Sequence, residues 1–452
     1  MADRDSGILA DRIRTLLEAN EIGELRRLLQ EAHPADIADA VNLLEEPERL
    51  LVFSLLDDQT AGEVLDETEA EATTALLKDL DSERAADILD EMPADDAAEI
   101  LAELPKDQAD ELIGLMEVEE AADVQERLQY PENSAGRLMS EEFVSVGTEM
   151  TASQVLDMLR KLAPRAETAY YLYVTDPAGK LMGVLSLRDL VVAAPDTKIG
   201  EIMDGKVVSV EADTDQEEVA RVVAKYDFLA VPVVDAANTL VGIVTVDDVI
   251  DVIEEEASED IYALGGTTEG PEAAPAPFSM MFRRLPWLLV TILGELFTAR
   301  VIRGYEQNLL SIVFALILFI PVIMATGGNV GTQSLATMVR SIALGELAGR
   351  SITRIIAREA LVGAMLGVAC GLFTGLLASI WLGTYAVGLV ILISMTITLM
   401  FSAVLGSVIP IGFKVSGRDP ALASGPFITT LNDITSVTIY FMLATQLLHL
   451  FQ

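Results

Sequence analysis

Cysteine and histidine are nearly absent from this chain. Cys370 is the one cysteine among 452 residues, and His33 and His449 are the two imidazoles. A lone thiol rules out a disulfide framework, and so thin a supply of nitrogen and sulfur ligands excludes zinc, copper or nickel handling. Positive charge is scarce as well: 30 Lys and Arg stand against 71 Asp and Glu. Such a surface repels a phosphate backbone, which excludes nucleic acid as a partner. There is no GxxxxGK[ST] phosphate loop and no HExxH pair, and the chain reads as a non-enzyme. The opening Met-Ala-Asp-Arg-Asp-Ser lacks the basic and apolar regions of a signal peptide, so the N-terminus is expected to stay in the cytoplasm.

What is there falls into two unlike halves. From Arg283 onward there are ten basic and six acidic residues, leaving 20 basic and 65 acidic residues before it. The second half is apolar enough to cross a bilayer repeatedly at about 20 residues per span. Candidate spans are Leu285–Ile302, interrupted by Glu295, and the charge-free Leu309–Thr326. The charge-free run Ala360–Phe413 divides at Leu382-Gly383-Thr384 into a third and a fourth span, and Pro426–Leu450 makes the fifth. Five crossings put the termini on opposite sides. Arg283, Arg284, Arg340, Arg350, Arg354, Arg358, Lys414 and Arg418 then share one side, and the positive-inside rule makes that side, with the acidic half, cytoplasmic. Gly363, Gly367, Gly371 and Gly375 recur every four residues, a spacing that serves close helix packing or dimerisation.

Asp433 is the only charged residue between Pro420 and Gln452. A carboxylate near the middle of a membrane helix costs roughly 2.5–3.5 kcal/mol, and its usual meaning is an ion path. Thr429, Thr430 and Ser436 share its helix face. In the second span, Ala325-Thr326-Gly327-Gly328-Asn329-Val330-Gly331-Thr332-Gln333 carries adjacent glycines expected to break or kink a helix, which is tolerated at membrane depth where backbone lines a wet cavity. Asn329, Thr332 and Gln333 add neutral oxygens. A plain turn or a helix-packing contact is the other reading of this segment, as a hydrogen bond to a neighbouring helix is for Asp433.

Residues 20–130 are helix-forming throughout, with a recurring small-acid-apolar unit at Ala61-Gly62-Glu63-Val64-Leu65, Ala85-Ala86-Asp87-Ile88-Leu89, Ala97-Ala98-Glu99-Ile100-Leu101 and Ala109-Asp110-Glu111-Leu112-Ile113. Pro93 and Pro105 punctuate the units, and the pattern predicts stacked short helices. Residues 138–253 contain a duplication. Leu138-Met139-Ser140 matches Ile202-Met203-Asp204, Tyr171-Leu172-Tyr173-Val174 matches Val231-Pro232-Val233-Val234, and Gly183-Val184-Leu185-Ser186 matches Gly242-Ile243-Val244-Thr245. Each copy predicts a β-α-β-β-α unit, and the tandem resembles a pair of cystathionine-β-synthase (CBS) domains. Asp247, Asp248, Asp251, Glu254, Glu255, Glu256, Glu259 and Asp260 follow on a helix leading to the membrane half. Two unpaired carboxylates about 6 Å apart repel by roughly 3 kcal/mol at an effective dielectric near 20. Either solvent or bridging divalent cations relieve that repulsion, Mg²⁺ and Ca²⁺ being the ions that favour oxygen ligands. Gly265–Pro277 reads as a linker.

The order of these parts, with Pro321, Gly327 through Gln333, Asp419-Pro420-Ala421, Pro426, Thr429-Thr430 and Asp433, resembles the MgtE family of magnesium channels over essentially the whole chain. The resemblance implies a multidomain fold: an all-α superhelical N domain (1–132), two α/β CBS domains (138–200 and 201–253), a connecting plug helix with linker (251–280) and a five-helix all-α transmembrane pore domain (281–452). It implies a homodimer in the bacterial inner, cytoplasmic membrane, multi-pass in the lipid bilayer, taking Mg²⁺ inward and closed by cytoplasmic Mg²⁺, with ATP as a further ligand of the CBS pair. Asp433 would hold hydrated Mg²⁺ in the pore, facing the backbone carbonyl of Thr429, with Asn329, Gln333, Gly327, Gly328 and Thr332 as the remaining lining. Glu63, Asp95, Glu99, Asp215, Glu217, Asp227, Asp248, Asp251, Glu256, Glu259 and Asp260 match the acidic sensor positions. Three residues depart from the common pattern: Gly425 before Pro426, Ser436 after Asp433, and Thr332. Transport of Mn²⁺ or Co²⁺, and a nucleotide-sensing CBS protein without transport, are the alternatives; an anion channel is opposed by the sign of Asp433.

Overall fold

A computed structural model describes residues 2–162, 170–267, 277–306, 316–344, 347, 351–423 and 425–448. The expected linker falls largely outside these residues. The chain divides into two compact units, one up to Glu255 and one from Glu256 onward.

The first unit begins with ten helices between Ala2 and Arg127, most of them of eight to ten residues. The sequence sets their boundaries. Asp57 accepts a hydrogen bond from the Thr60 N–H and Asp81 from the Glu83 N–H. Glu45 and Glu48 form a reciprocal cap, and Pro34 opens the helix Pro34–Asn42. These side chains satisfy backbone donors that a helix start leaves unpaired. Part of the acidic excess is therefore capping chemistry. From the third helix on, the stack largely places each helix against the one two positions further along. The recurring small residues lie in the contact: Ala61, Ala85, Ala86, Ala97 and Ala98 are all essentially inaccessible, with Leu65, Ile88 and Leu89 beside them. Short helices without long apolar stripes form one core because small residues let their backbones approach.

The remainder of this unit is the duplicated fold. The first copy has strands Ser145–Gly147, Tyr171–Thr175 and Leu181–Ser186, with Ala152–Leu162 as the first crossover helix. The second has strands Val210–Glu211, Ala230–Val234 and Leu240–Thr245, with the helix Gln216–Tyr226. In each sheet a parallel pair precedes an antiparallel one. The repeated tripeptides are exchanged: Ser140 pairs in both directions with Ile243 of the other copy, and Asp204 with Val184. Met139 lies over Gly242 and Met203 over Gly183, where a β-carbon would stand 2.8 and 2.6 Å from the methionine side chains. Neither copy completes its own sheet edge, so the pair folds as one body.

Among the described residues the second unit contains five long helices, Pro277–Glu306, Ile320–Ala343, Ile352–Leu382, Tyr385–Val415 and Gly425–Leu448. All of these but Ile320–Ala343 contain an apolar stretch long enough to cross a membrane, at Met280–Tyr305, Ile352–Leu382, Tyr385–Val415 and Gly425–Leu447. The break expected at Leu382-Gly383-Thr384 is present: Gly383 ends the third helix at φ 65°, a conformation that a residue without a side chain adopts freely. The second helix corrects two expectations. It runs from Ile320 to Ala343 rather than 309–326, whose first residues lie outside the described part. It also continues through Gly327 and Gly328 without a break. Asn329, Thr332 and Gln333 belong to a helix packed within the bundle, where neighbouring helices rather than apolar composition determine its extent. The helix that carries the acidic run starts at Val246, ahead of the expected 251, and ends at Gly265.

The glycines spaced by four face the fourth helix. A β-carbon would come within 2.6 Å of Leu399 O at Gly363, 2.5 Å of Thr396 Cα at Gly367, 2.9 Å of Leu392 O at Gly371 and 2.5 Å of Gly388 O at Gly375. Their packing is within the chain. Replacing Gly367 by Val should therefore force the two backbones apart and lower stability by about 1–3 kcal/mol or more. Thermal unfolding of the purified protein in detergent checks this, and an unchanged midpoint would contradict the contact.

Candidate ion site and acidic cluster

Two places gather carboxylates: one has no ion pair among the described residues, and in the other Arg137, beside Glu99, is outnumbered. The first is in the helical bundle. Thr429 and Asp433 lie one turn apart on the fifth helix, and Pro321, Ala325, Gly328 and Asn329 lie along one face of the second. Together with Ile320 and Met324 they line an open groove of about 490 Å³. Six waters around one ion occupy roughly 180 Å³ at about 30 Å³ each, so the groove has room for a hydrated cation. Asp433 is half-buried and makes no ion pair among the described residues. Glu295 of the first helix comes within hydrogen-bonding reach of it. The sequence showed Glu295 as an interruption of a span; helical position alone does not reveal that it meets Asp433.

Of the expected lining, Asp433, Thr429, Asn329 and Gly328 meet at this groove. Gly327 points the other way, toward Ser402 and Ser436, and is buried. Thr332 bonds back to the Gly328 carbonyl at 3.1 Å, and Gln333 is exposed on the helix surface. The helix face predicted around Asp433 also divides: Thr429 joins the groove, Thr430 is packed on Gly294, and Ser436 turns to Gly327. Helix hydroxyls bonded to their own backbone, such as Thr429 to Pro426 O at 3.1 Å, remain acceptors on their outer side.

The second place is in the first unit. Glu99 is surrounded by Glu255, Glu103, Asp66 and Asp251. Asp66 in turn faces Glu67, Asp248, Asp251 and Asp247. Both side chains keep an exposed edge, yet crowding removes much of their water. Desolvation first, and the neighbouring carboxylates second, push the Glu99 carboxyl up to about 7 and that of Asp66 up to about 6. The same causes raise Asp251 and Asp248, the latter against hydrogen bonds from the Thr245 N–H and hydroxyl. Among the described residues no three acids, histidines or cysteines are close enough to ligate one metal ion directly. The cluster therefore suits ions that retain water between themselves and the carboxylates, as Mg²⁺ does.

Three expected sensor residues, Glu99, Asp248 and Asp251, fall in this cluster, and Asp66, Glu67, Glu103, Asp247 and Glu255 join them. Asp66 escaped the sequence reading because it occupies the last turn of its helix, Asp58–Asp66, where an acid looks like ordinary surface. Others have local tasks. Asp215 caps the helix Gln216–Tyr226, Glu217 pairs with Arg221 at 2.6 Å, and Asp227 ends that helix at φ 55°. Glu63 accepts from Gln59 at 3.3 Å, and Asp95 is buried. Glu256, Glu259 and Asp260 belong to the second unit. There the end of their helix packs on the bundle: Ala263 and Leu264 lie against Leu335, Ala421, Ala423 and Ile428. A β-carbon on Gly425 would stand 2.7 Å from the Leu264 carbonyl, so the departure at this position has a steric reason.

Comparison with known proteins reaches the same parts. Residues 320–443 match the family described as a divalent cation transporter, residues 32–133 the MgtE intracellular N domain, and residues 135–196 and 199–255 the CBS domain. The magnesium transporter MgtE of Thermus thermophilus is 39% identical over 447 residues, spanning 97% of this chain and 98% of its own length. That of Bacillus subtilis is 37% identical over 438 residues, spanning 97% of each chain. Among solved structures, the cytosolic domain of the Mg²⁺ channel MgtE in complex with ATP is 45% identical, with a TM-score of 0.52 over 54% of this chain and 99% of its own.

A carboxyl raised by folding binds more protons in the folded than in the unfolded chain, so stability contributed here is greatest in acid and falls as pH rises through the folded value. Without divalent cations, the first unit should lose stability between about pH 4 and about pH 7, and little further above that. Added Mg²⁺ should recover more stability at the upper end than at the lower. Glu99→Gln should flatten both effects in a thermal-unfolding series at constant ionic strength. An identical pH profile in wild type and variant would remove Glu99 from the cluster.

Proposed function

The chain belongs to the MgtE family of magnesium transporters, and from that premise we propose that Asp433 is the carboxylate at which the ion passes and the acidic cluster is where the ion closes its own path. The protein is a multi-pass membrane protein that transports Mg²⁺, and a transporter rather than an enzyme. The observation that carries the pore assignment is the groove itself: a carboxylate without a basic partner shares it with Asn329, Gly328 and Thr429. Mg²⁺ gives up water reluctantly, and one carboxylate among neutral oxygens in a space of this volume suits a cation that stays hydrated. An inward-negative potential contributes about 2.3 kcal/mol per charge for each 100 mV, enough to drive passive influx.

Closure is read from the acidic cluster and the plug. Filling the cluster with divalent cations cancels the repulsion among Asp66, Glu99, Asp248, Asp251 and Glu255. Within the second unit, the contact of Leu264 with Gly425 and Ile428 is the seat proposed for the closed plug. Moving such an equilibrium from 1:99 to 99:1 takes about 5.5 kcal/mol of differential binding, within reach of several weakly held ions. The remaining proposals rest on likeness and charge. The basic residues flanking the spans support a cytoplasmic-membrane protein with the N-terminus inside and the C-terminus outside. Exposed Leu288, Leu289, Leu293, Phe297, Phe373 and Trp381 suit lipid or a second copy, in keeping with a homodimer. A nucleotide such as ATP is proposed for the CBS pair from the 45% identity to the relative's cytosolic domain.

Mg²⁺ influx into liposomes or cells tests both halves. Asp433→Ala should reduce flux at least tenfold, and intact uptake would reject the pore carboxylate. Asp248→Asn or Glu99→Gln should leave the open-state flux intact and raise the internal Mg²⁺ needed for closure severalfold. Gly425→Val should unseat Leu264 and weaken closure in the same direction. Normal closure in all three variants would count against the cluster and its plug.

A further inference from the structure

The interior of the bundle holds a second polar centre, separate from the groove at Asp433. Ser394, Thr398 and Ser402 recur every four residues on the fourth helix, and Asn432 and Ser436 are four apart on the fifth. All five are at most 1% exposed. Ser394 Oγ, Thr398 Oγ1, Ser402 Oγ, Asn432 Oδ1 and Ser436 Oγ have no hydrogen-bond partner among the described residues. This is not the habit of hydroxyls on these helices. Thr396 and Ser407 on the fourth donate to the carbonyl four residues back at 2.8 and 2.9 Å, as Thr435 and Thr438 do on the fifth at 2.9 and 2.7 Å. A buried hydroxyl or amide left unpaired costs about 1–3 kcal/mol, so five of them in one bundle require an explanation.

Four of these residues meet at Gly327, Ser402 and Ser436 through their oxygens. A methyl group placed on its Cα would lie 2.9 Å from Ser436 Oγ, 3.3 Å from Ser402 Oγ and 3.6 Å from Thr398 Cγ2. The Asn432 amide nitrogen donates to the Gly327 carbonyl at 3.3 Å, which leaves its carbonyl end as a pure acceptor. The absence of a side chain at 327 is what permits this approach. Every oxygen in the set is neutral. Such a set replaces the hydration of a singly charged hard cation, as carbonyl rings do in potassium-selective filters, whereas a divalent ion stripped of water calls for carboxylates. The adjacent residue in the chain is Asp433, a carboxyl with no basic partner among the described residues, which favours a cation in this neighbourhood.

We propose that Ser402, Ser436 and Asn432, gathered at Gly327 with the Thr398 methyl packed beside them, form a binding site for an alkali-metal cation inside the bundle. The site does not depend on the role given to Asp433. The test is the thermal unfolding of full-length protein in detergent, free of divalent ions, titrated with Na⁺, K⁺ or Li⁺ against N-methylglucamine at matched ionic strength. One of the three ions should raise the midpoint saturably. The double variant Ser402→Ala with Ser436→Ala should weaken its apparent affinity at least tenfold, while Ser407→Ala, whose hydroxyl is bonded within its own helix, should not. In Asp433→Asn the saturable effect should persist, with weaker affinity. Equal midpoints in all salts for the wild-type protein overturn the proposal and leave internal water as the occupant. An ion effect lost in Asp433→Asn but kept in the serine double variant overturns it too, placing the ion in the groove. Should the double variant not fold, the wild-type titration and the Asp433→Asn comparison still decide.

Discussion

A carboxylate taken from water must find a counter-charge, accept a proton or move away from its neighbours. This constraint governs both charged places in the protein. At Asp433 no lysine or arginine answers it among the described residues, and Glu295 compounds it by approaching within hydrogen-bonding reach. Around Glu99 the same deficit is spread over at least six side chains and raises the carboxyls of Glu99 and Asp66 toward neutrality. Arg137, which donates to the Ala98 carbonyl beside Glu99, is outnumbered by the acids around it, so most of that deficit is left to mobile ions. Two deficits of the same sign, one in the bundle and one in the acidic unit, give a single ion species two places to act.

Much of the architecture was legible because it rests on local rules. Ala-rich units punctuated by Pro93 and Pro105 did become short stacked helices, since small residues and proline act within a few residues of themselves. The duplication at Met139 and Met203 was visible, but its exchange was not: nothing in either copy says that Ser140 will pair with Ile243 of the other. The second helix shows where local rules fail. Gly327 and Gly328 carry a helix-breaking tendency of about 1 kcal/mol each, and the bundle overrides it; at Gly327 the close approach of Ser402 and Ser436 needs a residue without a side chain, as Asn432 does at Gly331. The candidate site was legible in part for the same reason. Asp433 stood out as a lone charge, and Asn329 as a polar residue beside it, but partners supplied by other helices, Glu295 and Asp66 among them, depend on packing that no spacing encodes.

Polar groups in the bundle also sort by what they touch. Hydroxyls that turn back to their own helix, such as Ser407, carry no further obligation. Those facing Gly327 carry one that the backbone does not discharge. Composition makes these residues look alike, and their difference is one of direction. The groove and the oxygen cluster lie on different faces of the same turn of the second helix, about 100° apart, Gly328 serving one and Gly327 the other. Adjacent glycines thus separate two surfaces with different ligands.

The contact between the third and fourth helices has a mechanical implication. With backbone atoms of the fourth helix 2.5–2.9 Å from where a β-carbon would stand at Gly363, Gly367, Gly371 and Gly375, and with only Gly383 and Thr384 joining them, these two helices resist sliding and rolling against each other. They form a stator. Any rearrangement that widens or narrows a passage through the bundle has to be carried by the first, second and fifth helices moving against that fixed pair.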